Sequence, residues 1–149
     1  MTSPRREHLT VHARFGDHGT TITARDHELT IDEAPRYGGH DLGANPVEHL
    51  LAGLAAASLV VLRLLGETTI AESATLTVAA RLNVDHVMGA DDAAVIELIE
   101  LDWRVPTAAD AERLRAALPE LARRRPGQAL VDAAAAVRET VSVSATADR

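Results

Sequence analysis

The sequence predicts an α+β fold, a mostly antiparallel sheet around one buried helix, and three observations carry that reading. Apolar and polar residues alternate with a strand period near the N-terminus and again over two long central stretches. The run Leu50–Leu62 contains no charge and is apolar on every helical face. The elements follow one another as three strands, a helix, two strands, two helices and a strand, an order that suits segregated helices over a sheet.

The first strand is expected over His8–Phe15, half-buried, with Leu9, Val11, Ala13 and Phe15 on one side. Gly16, Asp17, His18 and Gly19 form a turn signal, and the β-branched stretch Thr20–Arg25 returns as the second strand of a hairpin. Glu28–Asp32 is a third short strand. Glu33–Asn45 holds Pro35, Gly38, Gly39 and Gly43, a composition for a loop that turns sharply or approaches another backbone closely.

Asn45 and Pro46 open a helix, Asn as cap and Pro at the first helical position, with Glu48 near the positive end of the macrodipole. The apolar run stops at Arg63 and Gly66 ends the helix, so it is shorter than the ~20 apolar residues of a membrane span. A helix buried on all sides in so short a chain is easiest to arrange with a second subunit over part of it, and a homodimer follows. Glu72–Val87 and Ala94–Val105 read as two long strands joined at Gly89–Asp92. Thr107 and Asp110 cap an Arg-rich helix with Leu114, Leu118 and Leu121 on one face, which Pro119 is expected to kink or restart. Arg123, Arg124 and Arg125 fall at its carboxyl end, Pro126 restarts a short helix, and Ala136–Ser144 is the last strand.

Length and composition bound the function. With 149 residues, 46% of them hydrophobic and 25% charged, the chain reads as a single soluble domain over residues 1–149. It has no Cys, which removes disulfides, thiolate metal sites and cysteine nucleophiles together. Every basic residue is Arg, so a lysine base, Schiff base or P-loop clamp is also excluded. A formal charge of −7 and only Phe15, Tyr37 and Trp103 as aromatics argue against nucleic acid. The start, Met1 to Arg6, is followed by polar alternation rather than an apolar leader, and a cytoplasmic protein is expected. His8, His12, His40 and His86 show no metal-ligand spacing, so no metal or other cofactor is expected.

The stretch Asp26–Pro35, then Gly38 and Gly39, Gly43–Pro46, Glu48 and Leu50–Ala56, resembles the OsmC/Ohr family of osmotically inducible and organic hydroperoxide resistance proteins. The resemblance implies an intertwined homodimer with two central helices back to back and two pockets at the subunit interface. In the peroxidase members a reactive cysteine on the central helix and a resolving cysteine before a later Pro reduce organic hydroperoxides, assisted by Arg and Glu. Carried over position by position, those cysteines fall on Ala57 and Arg125, the Arg on Asp17 and the Glu on Val47. A route that needs a thiolate is thereby erased, and Met1 and Met88 do not replace it, because a thioether yields a sulfoxide.

The pocket that the resemblance implies keeps an apolar helix face. Leu50, Gly53, Leu54 and Val61 share the side of Ala57. Gly53 and Ala57 serve either close helix approach or a roomy cavity for a small apolar or carboxylate-bearing ligand, with Arg125 or Arg25 supplying the charge. A non-redox acid/base enzyme using Glu48 and His49 and a purely structural dimer are the alternatives. As plain scaffold, Glu48 satisfies backbone donors at the helix start, His49 hydrogen-bonds locally, and Ser58 bonds the carbonyl four residues back.

Overall fold

The computed structural model describes residues 5–134 and 136–144. Met1 and the expectation about the first four residues lie outside them, as does Ala135. The described residues form two compact units, one up to Leu50 and one from Leu51.

The first unit is a three-stranded antiparallel sheet, β1 (His12–Gly16), β2 (Gly19–Ala24) and β3 (His27–Ile31), in that spatial order. Gly16 pairs with Gly19 across a two-residue turn, the register that a hairpin of Asp17 and His18 requires. The second turn runs through Arg25, at φ 55°, and Asp26. β1 starts four residues later than expected and is not half-buried. All five of its residues are exposed, with Phe15 at 85%, and on the side bearing Ala13, Phe15, Ile22 and Leu29 only Ile22 is half-buried. Among the described residues of this unit the only buried one is Asp32.

After β3 a 3-10 turn at Pro35–Tyr37 leads through the glycine loop to helix α1 (Pro46–Leu64). α1 opens on a reciprocal capping box. The Glu48 amide donates to Asn45 Oδ1 at 2.9 Å and the Asn45 amide donates to Glu48 Oε2 at 2.8 Å. Gly66, at φ 92°, closes it, with the Glu67 amide donating to the Leu62 carbonyl.

In the second unit, β4 (Thr75–Leu82), β5 (Ile96–Val105) and β6 (Ala136–Val143) form a sheet in that order. β4 and β5 are antiparallel with a register shift at Arg81 and Leu82, while β5 and β6 are parallel, joined through α4 (Ala108–Arg124) and α5 (Gln128–Ala134). The long strand expected over Glu72–Val87 is cut at both ends. Glu72 belongs to α2 (Thr68–Ser73), seated by buried Ile70, and Val84–Val87 is one turn of helix, α3, capped by Asn83, whose side chain accepts from the His86 amide. The following strand starts at Ile96 rather than Ala94. Pro119 does not restart the helix. α4 runs through it, because Ala111, Leu114 and Leu121 on either side are held in one core with Val61, Leu62, Ile70, Trp103 and Val105. That burial offsets the lost backbone hydrogen bond. Leu54, Ile99, Leu101 and Val131 form a second cluster.

α1 is not buried on all sides within the chain. Leu54, Ser58, Val61 and Leu62 are buried, while Leu50, Val60 and Leu64 are 52%, 48% and 69% exposed. Its 19 residues are long and apolar enough to cross a membrane by length and composition, but its inner face is committed to the core of a folded unit.

Candidate functional site

The residues singled out in the sequence fall into two groups, those absorbed by local structure and those left free. Glu48 is held by the capping box, and His49 Nδ1 lies 3.1 Å from the Asn45 carbonyl, so both proton-carrier candidates are engaged in starting α1. Ser58, fully buried, donates to the Leu54 carbonyl at 2.7 Å. That is the hydrogen bond of a helix-interior serine and it leaves no activated hydroxyl.

Arg125 is neither a free anion anchor nor a solvated helix-end cation. Its side chain is fully buried at the C-cap of α4, with Nη2 on Glu139 Oε1 at 2.6 Å and Nη1 on Gln128 Oε1 at 2.6 Å. Trp103 Nε1 donates to the same Glu139 oxygen at 2.8 Å, so one carboxylate on β6 ties together the end of α4 and the middle of β5. The charge of Arg125 is spent inside the protein. Arg123 and Arg124 both bind Glu120, which they hold down to about 2, well below the usual carboxylate range. Arg25 stands at the tip of the β2–β3 hairpin, with no ion pair among the described residues.

On α1, Leu54 is core, packed with Ile99, Leu101 and Val131. Ala57 is half-buried, and a Cβ added to Gly53 would meet nothing within 4 Å. Gly53 therefore faces open space in the single chain. Among the described residues no group of three or more His, Asp or Glu is placed to hold a metal.

The cavity that the sequence did not foretell lies in the first unit. A cleft of about 310 Å³ is lined by Phe15, Asp17, Ile31, Glu33, Tyr37 and Pro46 together with Asp32, His40 and the intervening glycines and Thr20. Its floor is built around Asp32. Oδ1 accepts from the Glu33 amide at 2.9 Å, and Oδ2 accepts from the amides of His40 at 2.8 Å and Leu42 at 3.1 Å. The amides of His40 and Leu42 hold this carboxyl below its ordinary range, outweighing the opposing effect of burial. Gly39 and Gly43 let the loop reach it. A Cβ at Gly39 would sit 1.9 Å from the Glu33 carbonyl oxygen, and one at Gly43 2.2 Å from that of Thr30. The signal was present in the sequence as an acidic strand end followed by closely spaced glycines, but nothing local says that the carboxylate folds inward.

Compared with solved structures, the chain superposes over nearly its whole length on an OsmC-like protein from Mycoplasma pneumoniae. The TM-score is 0.76 at 17% identity, covering 93% of this chain and 99% of that one. The OsmC-like fold is the fold of this chain. An organic hydroperoxide resistance protein from Elizabethkingia anophelis, with crystallant-derived thiocyanate bound, gives 0.69 at 19% identity and covers 95% of this chain and all of that one. A putative organic hydroperoxide resistance protein from Vibrio cholerae, with captopril bound in one of its active sites, gives 0.62 at 19% identity, covering 95% of each chain. By sequence alone, no family model and no curated protein matches. The OsmC-like fold is thus present without a single sulfhydryl group, and a reaction that begins with thiolate attack on a peroxide oxygen has no nucleophile here.

Proposed function

We propose that this chain is a cysteine-free OsmC-like protein of one domain that works as a cytoplasmic homodimer. In this reading it binds a small, largely apolar molecule in a pocket shared by the two copies and has no thiol peroxidase activity. The observation that carries this reading is the uncovered stripe of α1. Val60 and Leu64 share the exposed side of the helix with Gly53, and exposed Leu50 lies at its edge, next to the face sunk in the core. An apolar stripe of that length in water is a docking surface, and in this reading a second α1, carrying the same apolar side chains, covers it. The first unit supports the same reading, because none of its described apolar residues is buried. The ligand side draws on the half-buried Ala57 and open Gly53, and on the captopril in an active site of the Vibrio cholerae protein. With Arg125 committed to Glu139, a carboxylate-bearing ligand would be anchored by Arg25, and an apolar one needs no such anchor.

The wild-type chain is expected to sediment as a dimer, and Val60→Glu as a monomer of unchanged helicity with dimer affinity at least about a hundredfold lower. A monomeric wild-type chain, or a Val60→Glu dimer of wild-type affinity, would overturn the dimer. Thermal-shift screening of the dimer against fatty acids, organic hydroperoxides and acyl thioesters is expected to give at least one concentration-dependent rise. A flat response to all three overturns the ligand reading. Consumption of cumene hydroperoxide is expected to stay at the buffer rate with or without added dithiol; dithiol-dependent turnover would refute the exclusion of thiol chemistry.

A further inference from the structure

We infer that two symmetric ion pairs, each between Glu48 of one copy and Arg63 of the partner subunit, hold α1 against a second α1 in one antiparallel register. The inference rests on the homodimer proposed above and adds what that reading leaves open, the direction and alignment of the two helices.

Charge carries the argument. Arg63 is the only described Arg from Leu51 onward that makes neither an ion pair nor a side-chain hydrogen bond among the described residues. It is exposed in the last turn of α1, and Glu48 is exposed in the first, about 22 Å away along the axis. Glu48 gives Oε2 to the Asn45 amide and keeps Oε1 for another donor. Both charges lie on one flank of the exposed helix face, and Gly53 and Ala57 lie on the other, so an ion pair here leaves the ligand side clear. The two-fold axis of an antiparallel helix pair brings like flanks together, so each Glu48 comes beside the partner's Arg63. A parallel pair would instead set carboxylate on carboxylate and guanidinium on guanidinium. The helix dipoles favour the same choice, because each amino end then meets a carboxyl end.

Shape selects the same register independently. Ala52, Ala56 and Val60 follow one another at helical spacing down the middle of the exposed face, opposite buried Leu54, Ser58 and Leu62. Bulk is graded along that line, with methyl groups in the first half and Val60 and Leu64 in the second. Laid parallel, two such faces would crowd at one end and gape at the other. Laid antiparallel with Glu48 level with the partner's Arg63, Val60 of each copy meets the Ala52 turn of the other. The two copies of Ala56 then face one another at the midpoint, where small side chains let the backbones approach closely.

The chain has no cysteine of its own, so one introduced thiol reports one distance in the full-length protein. In this register two copies of residue 56 fall within the roughly 7 Å Cα limit of a disulfide, while two copies of residue 60 stand about 13 Å apart along the axes. Ala56→Cys is therefore expected to oxidise to a covalent dimer, and Val60→Cys to stay uncrosslinked under the same conditions. Charge reversal is the second arm. Arg63→Glu, which leaves the cap of α1 intact, is expected to weaken the dimer roughly ten- to thirtyfold by sedimentation, with less effect in about 0.5 M salt. Glu48→Arg is expected to weaken it at least as much, since it also removes half of the capping box. Combining both changes in one chain restores opposite charges and is expected to recover at least about tenfold over Glu48→Arg alone. Crosslinking at residue 60, none at residue 56, an Arg63→Glu dimer of wild-type affinity, or a double variant no tighter than Glu48→Arg would each overturn the register while leaving the dimer standing. A monomeric wild-type chain overturns both.

Discussion

Replacing Arg125 by methionine is expected to cost roughly 3–5 kcal/mol, the usual penalty for leaving one member of a buried ion pair behind, and to lower the melting temperature by about 10 °C. The side chain is fully buried and its partner Glu139 is 15% exposed, so the abandoned carboxylate keeps only the Trp103 indole as donor. The pair is incompletely satisfied as it stands, because Arg125 Nε is buried without an acceptor. For that reason Arg125→Met combined with Glu139→Gln is expected to recover most of the loss. Glutamine still accepts from Trp103 and carries no charge to strand. Thermal melts of the two single variants and the double variant close the cycle. A double variant no better than the sum of its parts, or a single Arg125→Met that melts like wild type, would show that this network does not hold the α4–α5 junction. Arg123→Ala is the control, removing an exposed cation of the Glu120 cluster with little expected effect on the melt.

Gly39→Ala is expected to be the most damaging single methyl group in the first unit. At 1.9 Å from the Glu33 carbonyl oxygen and 2.5 Å from its carbon, the new Cβ meets backbone that cannot rotate away, since the Asp41 amide donates to that same oxygen. The loop must open, at a cost of at least about 2 kcal/mol, and the His40 and Leu42 amides then lose the Asp32 carboxylate. Hydrogen exchange at those two amides is the measurement. Gly16→Ala, where an added Cβ meets nothing within 4 Å, should leave them protected. Acid should unfasten the same loop. Because folding lowers the pKa of Asp32, its contribution is complete above the ordinary carboxylate range and lost as the pH falls through the depressed value. Equal protection in Gly39→Ala and wild type would mean that Asp32 is not what closes the loop.

What could be read from the sequence is what local chemistry determines. Asn45, Pro46 and Glu48 specify a helix start within four residues, and the structure returns a full capping box. The alternation Leu76, Val78, Ala80, Leu82 gives a strand with one side half-buried. The resemblance of Asp26–Ala56 to the OsmC/Ohr family identified the fold where sequence comparison finds no match. What failed depends on distance or size. α2 and α3 are one or two turns long with at most one buried anchor, too short to show a period. In the sequence Arg125 has the look of a helix-end or ligand-binding cation, because its true partner lies fourteen residues on, across a second helix, where no spacing rule reaches. Glu48 and His49 are polar in the pattern that a catalyst and a cap share, and only the observed hydrogen bonds separate the two.

The placement of Trp103 decides how the protein can be watched. Its indole is sealed in the core of the second unit and hydrogen-bonded to Glu139, while residues up to Leu50 contain only Phe15 and Tyr37 as fluorophores. A denaturation curve recorded by intrinsic emission at the tryptophan wavelength is therefore blind to the N-terminal third. A clean sigmoid recorded that way says nothing about whether the acid-floored loop had already let go.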